Sequence, residues 1–275
     1  MNYFDAVILG IVEGLTEFLP VSSTGHLTIV EKWLGLDVAA TDVTGFTAVI
    51  QMGAIAAVIL YFAKDIWAIA RAWVLGLVKA EYRGTFDHRM GWYVILGSIP
   101  IGIVGLAAKD FITKDLRSLW VVATALILWS AAMLYAERQG RQERHEQDLS
   151  LKDALVVGLV QCIALVPGVS RSGATISAGL LRGLDRVAAT RLSFFLSIPA
   201  LLAAGIFELK DALGGNIGVG ETLVGTVVSF VVAYASVAWL LKFVAHHSIG
   251  KFVPYRIALG VLILVLLATN VMTAT

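Results

Sequence analysis

Long apolar runs dominate the chain and predict membrane-spanning helices. A spanning helix needs ~20 mostly apolar residues, and six stretches that lack Asp, Glu, Lys and Arg approach that length. They are residues 43–63, 90–108, 118–136, 192–207, 222–241 and 257–275. The fourth run is short, so flanking charged residues would have to extend it at the membrane surface. The pattern therefore predicts an all-α polytopic membrane protein with six spans.

Two other apolar regions are each interrupted by a polar turn. Residues 3–19 have a helical pattern that Pro20 interrupts, because proline lacks a backbone N–H and disfavours helix at the residue before it. Residues 153–166 and 172–181 flank Pro167 in the same way. Half-length helices joined by a polar turn predict a re-entrant hairpin in each region. A single kinked spanning helix is the alternative.

The two hairpin regions are related by an internal repeat. A shift of 148 residues superposes six positions, which include Gly10 on Gly158, Glu13 on Gln161, Ser22 on Ser170 and Gly25 on Gly173. Each half would hold one hairpin and three spans, and an odd number of spans requires the halves to be inverted. Such repeats bring their broken helices together near the midplane. We expect one membrane domain, residues 1–275, with repeats at about 1–136 and 150–275 and a cytoplasmic loop at about 137–152.

Composition and charge limit the class of protein and its orientation. Charged residues make up 15% of the chain and hydrophobic residues 58%, whereas soluble domains contain about 25% charged residues. The net charge of +1 says nothing about partners; for a membrane protein of this class we expect a lipid substrate and no nucleic-acid partner. In the six-span plan, 15 of the 21 Lys and Arg residues lie on one side. Basic loops face the cytoplasm, so both termini and the opening of the site should face outward.

The first polar turn, EGLTEFLPVSSTGH, carries carboxylates, hydroxyls and an imidazole. Glu13 and Glu17 share one helix face, and Mg²⁺ or Ca²⁺ would satisfy both at low dielectric; hydrogen bonds from hydroxyls are the alternative. His26 suits a general acid/base or a nucleophile. The hydroxyls at the start of the second half-helix would bind an anion or cap that helix; they belong to Ser22, Ser23 and Thr24.

The second polar turn, PGVSRSGAT, supplies a cation. Arg171 can bind phosphate oxygens through its planar fork. An Arg at membrane depth needs a partner, so Arg171 should meet Glu13, Glu17 or an anionic ligand; a structural salt bridge is the alternative. The other candidate substrate-binding residues are Gln161, Ser170, Ser172, Gly173 and Thr175.

Together these groups suit phosphoryl transfer, in which positioning and charge stabilisation dominate. A site open to lipid favours a phosphorylated lipid as substrate. A transporter or flippase for such a lipid is the alternative, because inverted repeats with broken helices are typical of transporters. Transport alone would not require Ser, His and Arg together.

Both motifs and the duplication resemble the undecaprenyl-pyrophosphate phosphatase family of bacteria, the bacitracin-resistance type, over essentially the whole chain. The resemblance implies hydrolysis of undecaprenyl pyrophosphate to undecaprenyl phosphate and inorganic phosphate in the inner membrane. That reaction recycles the carrier lipid for peptidoglycan synthesis and gives bacitracin resistance. The family's motif residues match here at Glu13, Glu17, Ser23, His26, Ser170, Arg171, Ser172 and Thr175.

Several features stay open at this point. Ser23, His26 or water could attack the phosphorus; we prefer Ser23 with His26 as its base, and expect Glu17 and Arg171 to be catalytic as well. The metal, the prenyl chain length and the oligomeric state, including a homodimer, are also open.

Overall fold

A computed structural model of the chain describes residues 1–38, 40–114, 116, 118–213 and 217–274, and excludes the side chains at 110, 113, 114 and 207–213. Within these residues the secondary structure is helical and includes no β-strand. The helices are α1 (Tyr3–Thr16), α2 (Ser23–Trp33), α3 (Thr41–Tyr61), α4 (Ala63–Val78), α5 (Phe86–Ala107), α6 (Lys109–Lys114), α7 (Leu119–Gln139), α8 (Leu151–Gln161), α9 (Arg171–Leu181), α10 (Arg186–Leu213), α11 (Val219–His246) and α12 (Val253–Ala268).

The six predicted spans are confirmed by length and composition. The helical segments apolar enough to cross a membrane are Thr41–Tyr61, Phe86–Ala107, Leu119–Gln139, Arg186–Ile206, Val219–His246 and Ile249–Ala268. They lie in α3, α5, α7, α10, α11 and α12, the last with a short 3₁₀ turn before it. The chain is therefore an all-α polytopic membrane protein.

The fourth span begins earlier than the predicted 192. Helix α10 starts at Arg186, whose guanidinium pairs with Glu137 at the end of α7. Arg191 pairs with Glu146 at 2.7 Å. Because both cations have carboxylate partners, the helix includes them without exposing an uncompensated charge to the apolar region. Ion pairing, rather than snorkelling alone, extends the short run.

The last span ends earlier than the predicted 275. Helix α12 ends at Ala268, and Asn270 has a left-handed φ of 55°, a conformation that commonly ends helices. The tail then turns back, and the amide of Leu119 donates to the carbonyl of Ala274 at 2.9 Å. Thr275 lies outside the described residues.

Both polar regions form short helices joined by a turn. Helices α2, α8 and α9 have 11 residues each and α1 has 14, so they are about 17–21 Å long at 1.5 Å per residue. The hydrocarbon core is about 30 Å thick, so none of them spans it alone. Helix α1 packs on α2, and α8 packs on α9. These contacts favour two hairpins over two kinked spans.

Local geometry recurs at positions 148 apart in the sequence. The N-cap residues of α2 and α9, Ser22 and Ser170, have φ values of 77° and 75°, a left-handed conformation that is uncommon for serine. Helix α1 begins with a capping box from Asn2 and Asp5, and α8 begins with one from Ser150 and Asp153. These matched details support the internal repeat, whose inverted topology stays a prediction.

The hairpin of each half packs against a span of the other half. Helix α1 lies against α11, and α8 lies against α5. A Cβ at Gly10 would meet the carbonyl oxygen of Gly225 at 2.6 Å, and one at Gly158 would overlap the carbonyl of Gly97. Only glycine allows such close backbone approach between membrane helices. The two halves are therefore interlocked rather than side by side.

The segment after α7 is more ordered than the solvated loop that its charges suggest. Arg144 pairs with the fully buried Asp153 at 2.6 Å, and its backbone bonds to that of Gly183 and Asp185. Asp185 also accepts a hydrogen bond from His145 at 2.5 Å, which raises the pKa of that imidazole. The segment thus fastens α7 to the second hairpin. In the six-span plan, three of the basic residues on the outer side of the membrane lie outside the described side chains: Lys114, Arg117 and Lys210.

Candidate active site

A cavity of about 770 Å³ lies where the two hairpin turns face α5 and α10. One part of its wall is polar and includes Glu17, Ser23 and Arg171. The remaining wall is mostly apolar and comes from α5, from the 3₁₀ turn after α8 and from α10, for example Ile99, Leu165 and Leu201. Such a cavity suits an amphipathic ligand with an anionic head and a hydrocarbon chain.

The two turns meet, as predicted. Arg171 Nη2 lies 3.2 Å from Glu17 Oε1, and both side chains are largely buried, with 10% and 5% of their surface exposed. The hydroxyl of Ser172 donates to the carbonyl of Leu19 at 2.9 Å. One polar site therefore contains groups that are about 150 residues apart in the sequence.

Ser23 has a proton acceptor in hydrogen-bonding contact. It is the first residue of α2, and its Oγ donates to Glu17 Oε2 at 2.5 Å. The other oxygen of the same carboxylate contacts Arg171. A carboxylate in this position can accept the hydroxyl proton of Ser23, which is the contact that a general base requires.

Arg171 retains hydrogen-bonding capacity for an anion. Its Nη1 is 3.5 Å from the carbonyl of Ser193, at the limit of a hydrogen bond, and its buried Nε has no partner among the described groups. The guanidinium lies 5.6 Å from the centroid of the Phe18 ring, and that ring packs edge-on against Phe194. The arginine is thus held by its ion pair with Glu17 and by packing, while Nη1 and Nε stay weakly bonded or unbonded.

His26 is close to the first turn but is bonded away from Ser23. Its Nδ1 is 2.7 Å from the carbonyl of Ser22, so this nitrogen must carry a proton and donate. In the neutral ring, Nε2 then accepts from the hydroxyl of Tyr255 at 2.5 Å, and the two rings are stacked. Among the described hydrogen bonds none joins His26 to Ser23. Tyr255 was not predicted, because no local pattern relates residues that distant.

Glu13 and Gln161 occupy equivalent repeat positions and are both buried, with 1% and 0% exposed surface. In the described part of the chain, neither oxygen of Glu13 and neither polar atom of Gln161 has a hydrogen-bond partner. Buried polar groups without partners are costly. Both oxygens of Glu13 therefore have unused acceptor capacity that a cation could satisfy, although no group of three His, Cys, Asp or Glu side chains clusters among the described residues.

Some of the other candidate residues line the cavity, and the rest lie behind its wall. Ser22, Thr24 and Ser170 line the cavity, and Ser170 also caps α9 through the amide of Gly173 at 3.2 Å. Ser22 makes no side-chain capping bond. Within the described wall, the cavity is not lined by Glu13, Gln161, His26, Ser172, Gly173 or Thr175.

Thr175 contacts the backbone carbonyl of Arg171. Its Oγ1 lies 2.8 Å from the carbonyl of Arg171 and 2.6 Å from Ser193 Oγ, and the side chain is fully buried. This contact fixes the first turn of α9, where Arg171 begins the helix. Thr175 thus contacts the backbone of the site rather than its cavity.

Comparisons with known proteins agree over the full length. The family described as bacitracin resistance protein BacA matches residues 6–262. Undecaprenyl-diphosphatase 3 of Frankia casuarinae is 59% identical, and undecaprenyl-diphosphatase of Acidothermus cellulolyticus is 57% identical; each alignment covers 100% of both chains. Undecaprenyl-diphosphatase 1 of Streptomyces coelicolor is 60% identical over 97% of this chain and 96% of its own. The chain belongs to the BacA family.

Proposed function

We propose that this chain is an undecaprenyl-diphosphatase: a membrane enzyme that hydrolyses undecaprenyl pyrophosphate to undecaprenyl phosphate and inorganic phosphate. This activity recycles the carrier lipid for peptidoglycan synthesis and gives bacitracin resistance. The observation that carries the proposal is the contact of Ser23, Glu17 and Arg171 at the polar end of an amphipathic cavity. A nucleophile, a base and an anion-binding cation are thereby combined at one end of a mostly apolar cavity.

The two parts of the cavity bind different parts of the substrate. The prenyl chain lies along the apolar wall from α5 and α10, and the pyrophosphate lies against Arg171. The guanidinium would use its free Nε and its weakly bonded Nη1 to bind phosphate oxygens. The N-terminal end of the α9 dipole, where Arg171 begins the helix, adds to the positive potential there.

For the chemical step, Ser23 Oγ attacks the terminal phosphorus while its proton passes to Glu17 Oε2, 2.5 Å away. The bond between that phosphorus and the bridging oxygen breaks, and undecaprenyl phosphate leaves. Glu17 releases this proton to solvent and then takes one from the water whose oxygen attacks the phosphoserine; the bond between phosphorus and Ser23 Oγ breaks, the proton returns to Oγ, and inorganic phosphate leaves. Arg171 stabilises the charge on the phosphoryl oxygens in both steps. His26 orients the turn through the carbonyl of Ser22.

A divalent cation fits the carboxylates of the first turn. The two partnerless oxygens of Glu13 and the neighbouring carboxylate of Glu17 are the hard donors that Mg²⁺ and Ca²⁺ prefer. When bound, such an ion would reduce the negative charge of the pyrophosphate.

We predict that chelation abolishes the reaction. Treatment of the purified enzyme with EDTA should lower phosphate release by at least about 100-fold, because the carboxylates and the pyrophosphate would then repel each other. Addition of Mg²⁺ or Ca²⁺ in excess should restore the rate. Undiminished turnover after exhaustive chelation would refute the cation site at Glu13 and Glu17.

The proposed activity is tested directly by phosphate release from a prenyl pyrophosphate in detergent. The purified chain should release one phosphate per substrate and leave the monophosphate lipid, as followed by a colorimetric assay and thin-layer chromatography. A lipid transporter without hydrolytic chemistry would leave the pyrophosphate intact. Failure of the wild-type chain to release phosphate would therefore reject the proposed function.

The proposal includes the plasma membrane as location and an opening toward the outer face. It is supported by the excess of basic residues on the side of the 137–152 segment. In a Cys162→Ala background, a cysteine at Glu143 should react with an impermeant maleimide only after the cells are permeabilised. Labelling in intact cells would reverse the proposed orientation. A homodimer and the absence of a nucleic-acid partner remain predictions.

A further inference from the structure

Arg256 is a fully buried cation that does not itself line the cavity. It lies in the first turn of α12, has 0% exposed surface, and is among the largest fully buried side chains. Arg256 is one of the 15 basic residues that the six-span plan counts on the cytoplasmic side, and such a count treats each of them as solvated. In the structure its guanidinium instead points into the centre of the bundle.

The guanidinium of Arg256 binds both hairpin turns at once. Its Nη1 donates to the carbonyl of Pro20 at 3.0 Å, in the first turn. Its Nη2 lies within 3.0 and 3.1 Å of the carbonyls of Gly168 and Val169, in the second turn. On its other side, Nε donates to Ser130 Oγ at 3.1 Å. A single side chain therefore joins the two turns and fixes them to α7.

These bonds are adjacent in sequence to the reacting groups. Pro20 comes three residues after Glu17, and Val169 comes two residues before Arg171. The separation of the two turns sets the separation of Glu17 from Arg171, and hence the space for the phosphoryl group. Effective catalysis requires such groups to be held within about 0.5 Å of their productive positions.

We infer that Arg256 is a positioning residue that holds the two hairpin turns at the spacing required for phosphoryl transfer. The inference rests on the proposed function and adds a residue that does not line the cavity. Every described hydrogen-bond partner of Arg256 is a neutral carbonyl or hydroxyl. Replacement of a buried ion by apolar packing often stabilises a protein, so stability alone does not explain why an arginine is used.

The planar fork explains the choice of arginine. Five N–H donors in a fixed plane can reach carbonyls on both turns and the hydroxyl of Ser130 together. A lysine has three donors on one atom and cannot span both turns. If the charge alone mattered, lysine would substitute for Arg256; if bridging matters, it would not.

The test compares Arg256→Lys and Arg256→Gln with wild type, with rates expressed per folded molecule. Both variants should lose about 30-fold or more in kcat with a smaller change in KM, because none of the described hydrogen bonds of Arg256 reaches the apolar wall from α5 and α10 that binds the prenyl chain. In the Arg256→Gln background, Arg171→Ala should cost at most about 10-fold instead of the full wild-type loss, since residues acting as one unit are not additive. Wild-type kcat in Arg256→Gln, or wild-type kcat in Arg256→Lys alone, would overturn the inference.

A second readout does not depend on activity. In a Cys162→Ala background, spin labels at Thr24→Cys and Ala164→Cys report the distance across the cavity, which both residues line. Arg256→Gln should broaden and lengthen that distance distribution. The matched control is Arg186→Gln, which removes the ion pair to Glu137 remote from the turns and should leave both distance and kcat unchanged. An unaltered distance in Arg256→Gln would refute the inference even if the wild-type chain proved inactive.

Discussion

Replacement of Arg171 by alanine is expected to lower kcat/KM for prenyl pyrophosphate hydrolysis by about 10³-fold or more, the size of effect seen when an arginine that stabilises a transferring phosphoryl group is removed. Arg171 is the cation that faces the cavity beside Glu17, at 3.2 Å. Its loss leaves the carboxylate unpaired, so the polar end of the cavity would repel the anionic substrate. The measurement is phosphate release under initial-rate conditions.

Two further variants test whether the planar fork of Arg171, rather than its charge or a general loss of stability, accounts for the effect. Arg171→Lys keeps the charge but loses the planar fork, so we expect it to recover only a small part of the activity. Arg182→Ala removes a cation that pairs with Asp153 at 2.8 Å, at the opposite end of α9, and should retain turnover. Folded Arg171→Ala enzyme with a rate within about 10-fold of wild type would contradict the proposed anion site.

Glu17→Gln should reduce kcat by about 10³-fold with a fold that is unchanged. The amide has the same shape, so the contacts with Ser23 and Arg171 can persist, but it cannot accept a proton from Ser23. It also removes one of the two carboxylates proposed to hold the cation. Both effects act on the chemical step, so KM should change much less than kcat.

The control for Glu17 is a carboxylate outside the site. Glu221→Gln changes an acidic residue in the first turn of α11 and should leave the rate unchanged. Glu13→Gln adds a further comparison, since it places at position 13 the residue type found at the equivalent position 161. Glu17→Gln enzyme that retains wild-type kcat would exclude this carboxylate as the base for Ser23.

The parts of the fold that were predictable follow from composition along the chain. In lipid, an apolar run of ~20 residues can satisfy its backbone hydrogen bonds internally by forming a spanning helix. All six such runs form helices of spanning length. The two hairpins were predictable because proline and clustered hydroxyls interrupt their apolar regions. The repeat predicted that the two turns meet, and charged side chains at membrane depth usually pair with opposite charges. The contact of Glu17 with Arg171 agrees with both expectations.

The parts that were missed depend on contacts between distant residues. Nothing near Tyr255 indicates that its hydroxyl meets His26, or that Ser23 chooses Glu17 rather than His26 as its partner. The burial of Arg256 was not predicted either, because basic residues are usually exposed and it was counted only as one of the basic residues on the cytoplasmic side. A hydropathy scale scores each residue by itself. It therefore does not detect that the backbone carbonyls of two irregular turns together provide hydrogen bonds for one buried guanidinium.

The interlocked packing of the halves has a consequence for biosynthesis. Helix α1 is buried against α11, and about 200 residues separate them in the chain. At 5–20 residues per second, the first hairpin must wait roughly 10–40 s before its packing partner is synthesised. During that interval the buried carboxylates of Glu13 and Glu17 lack the second half that encloses them. The nascent hairpin therefore needs the insertion machinery, or the aqueous interface, to shelter its polar turn until the C-terminal half arrives.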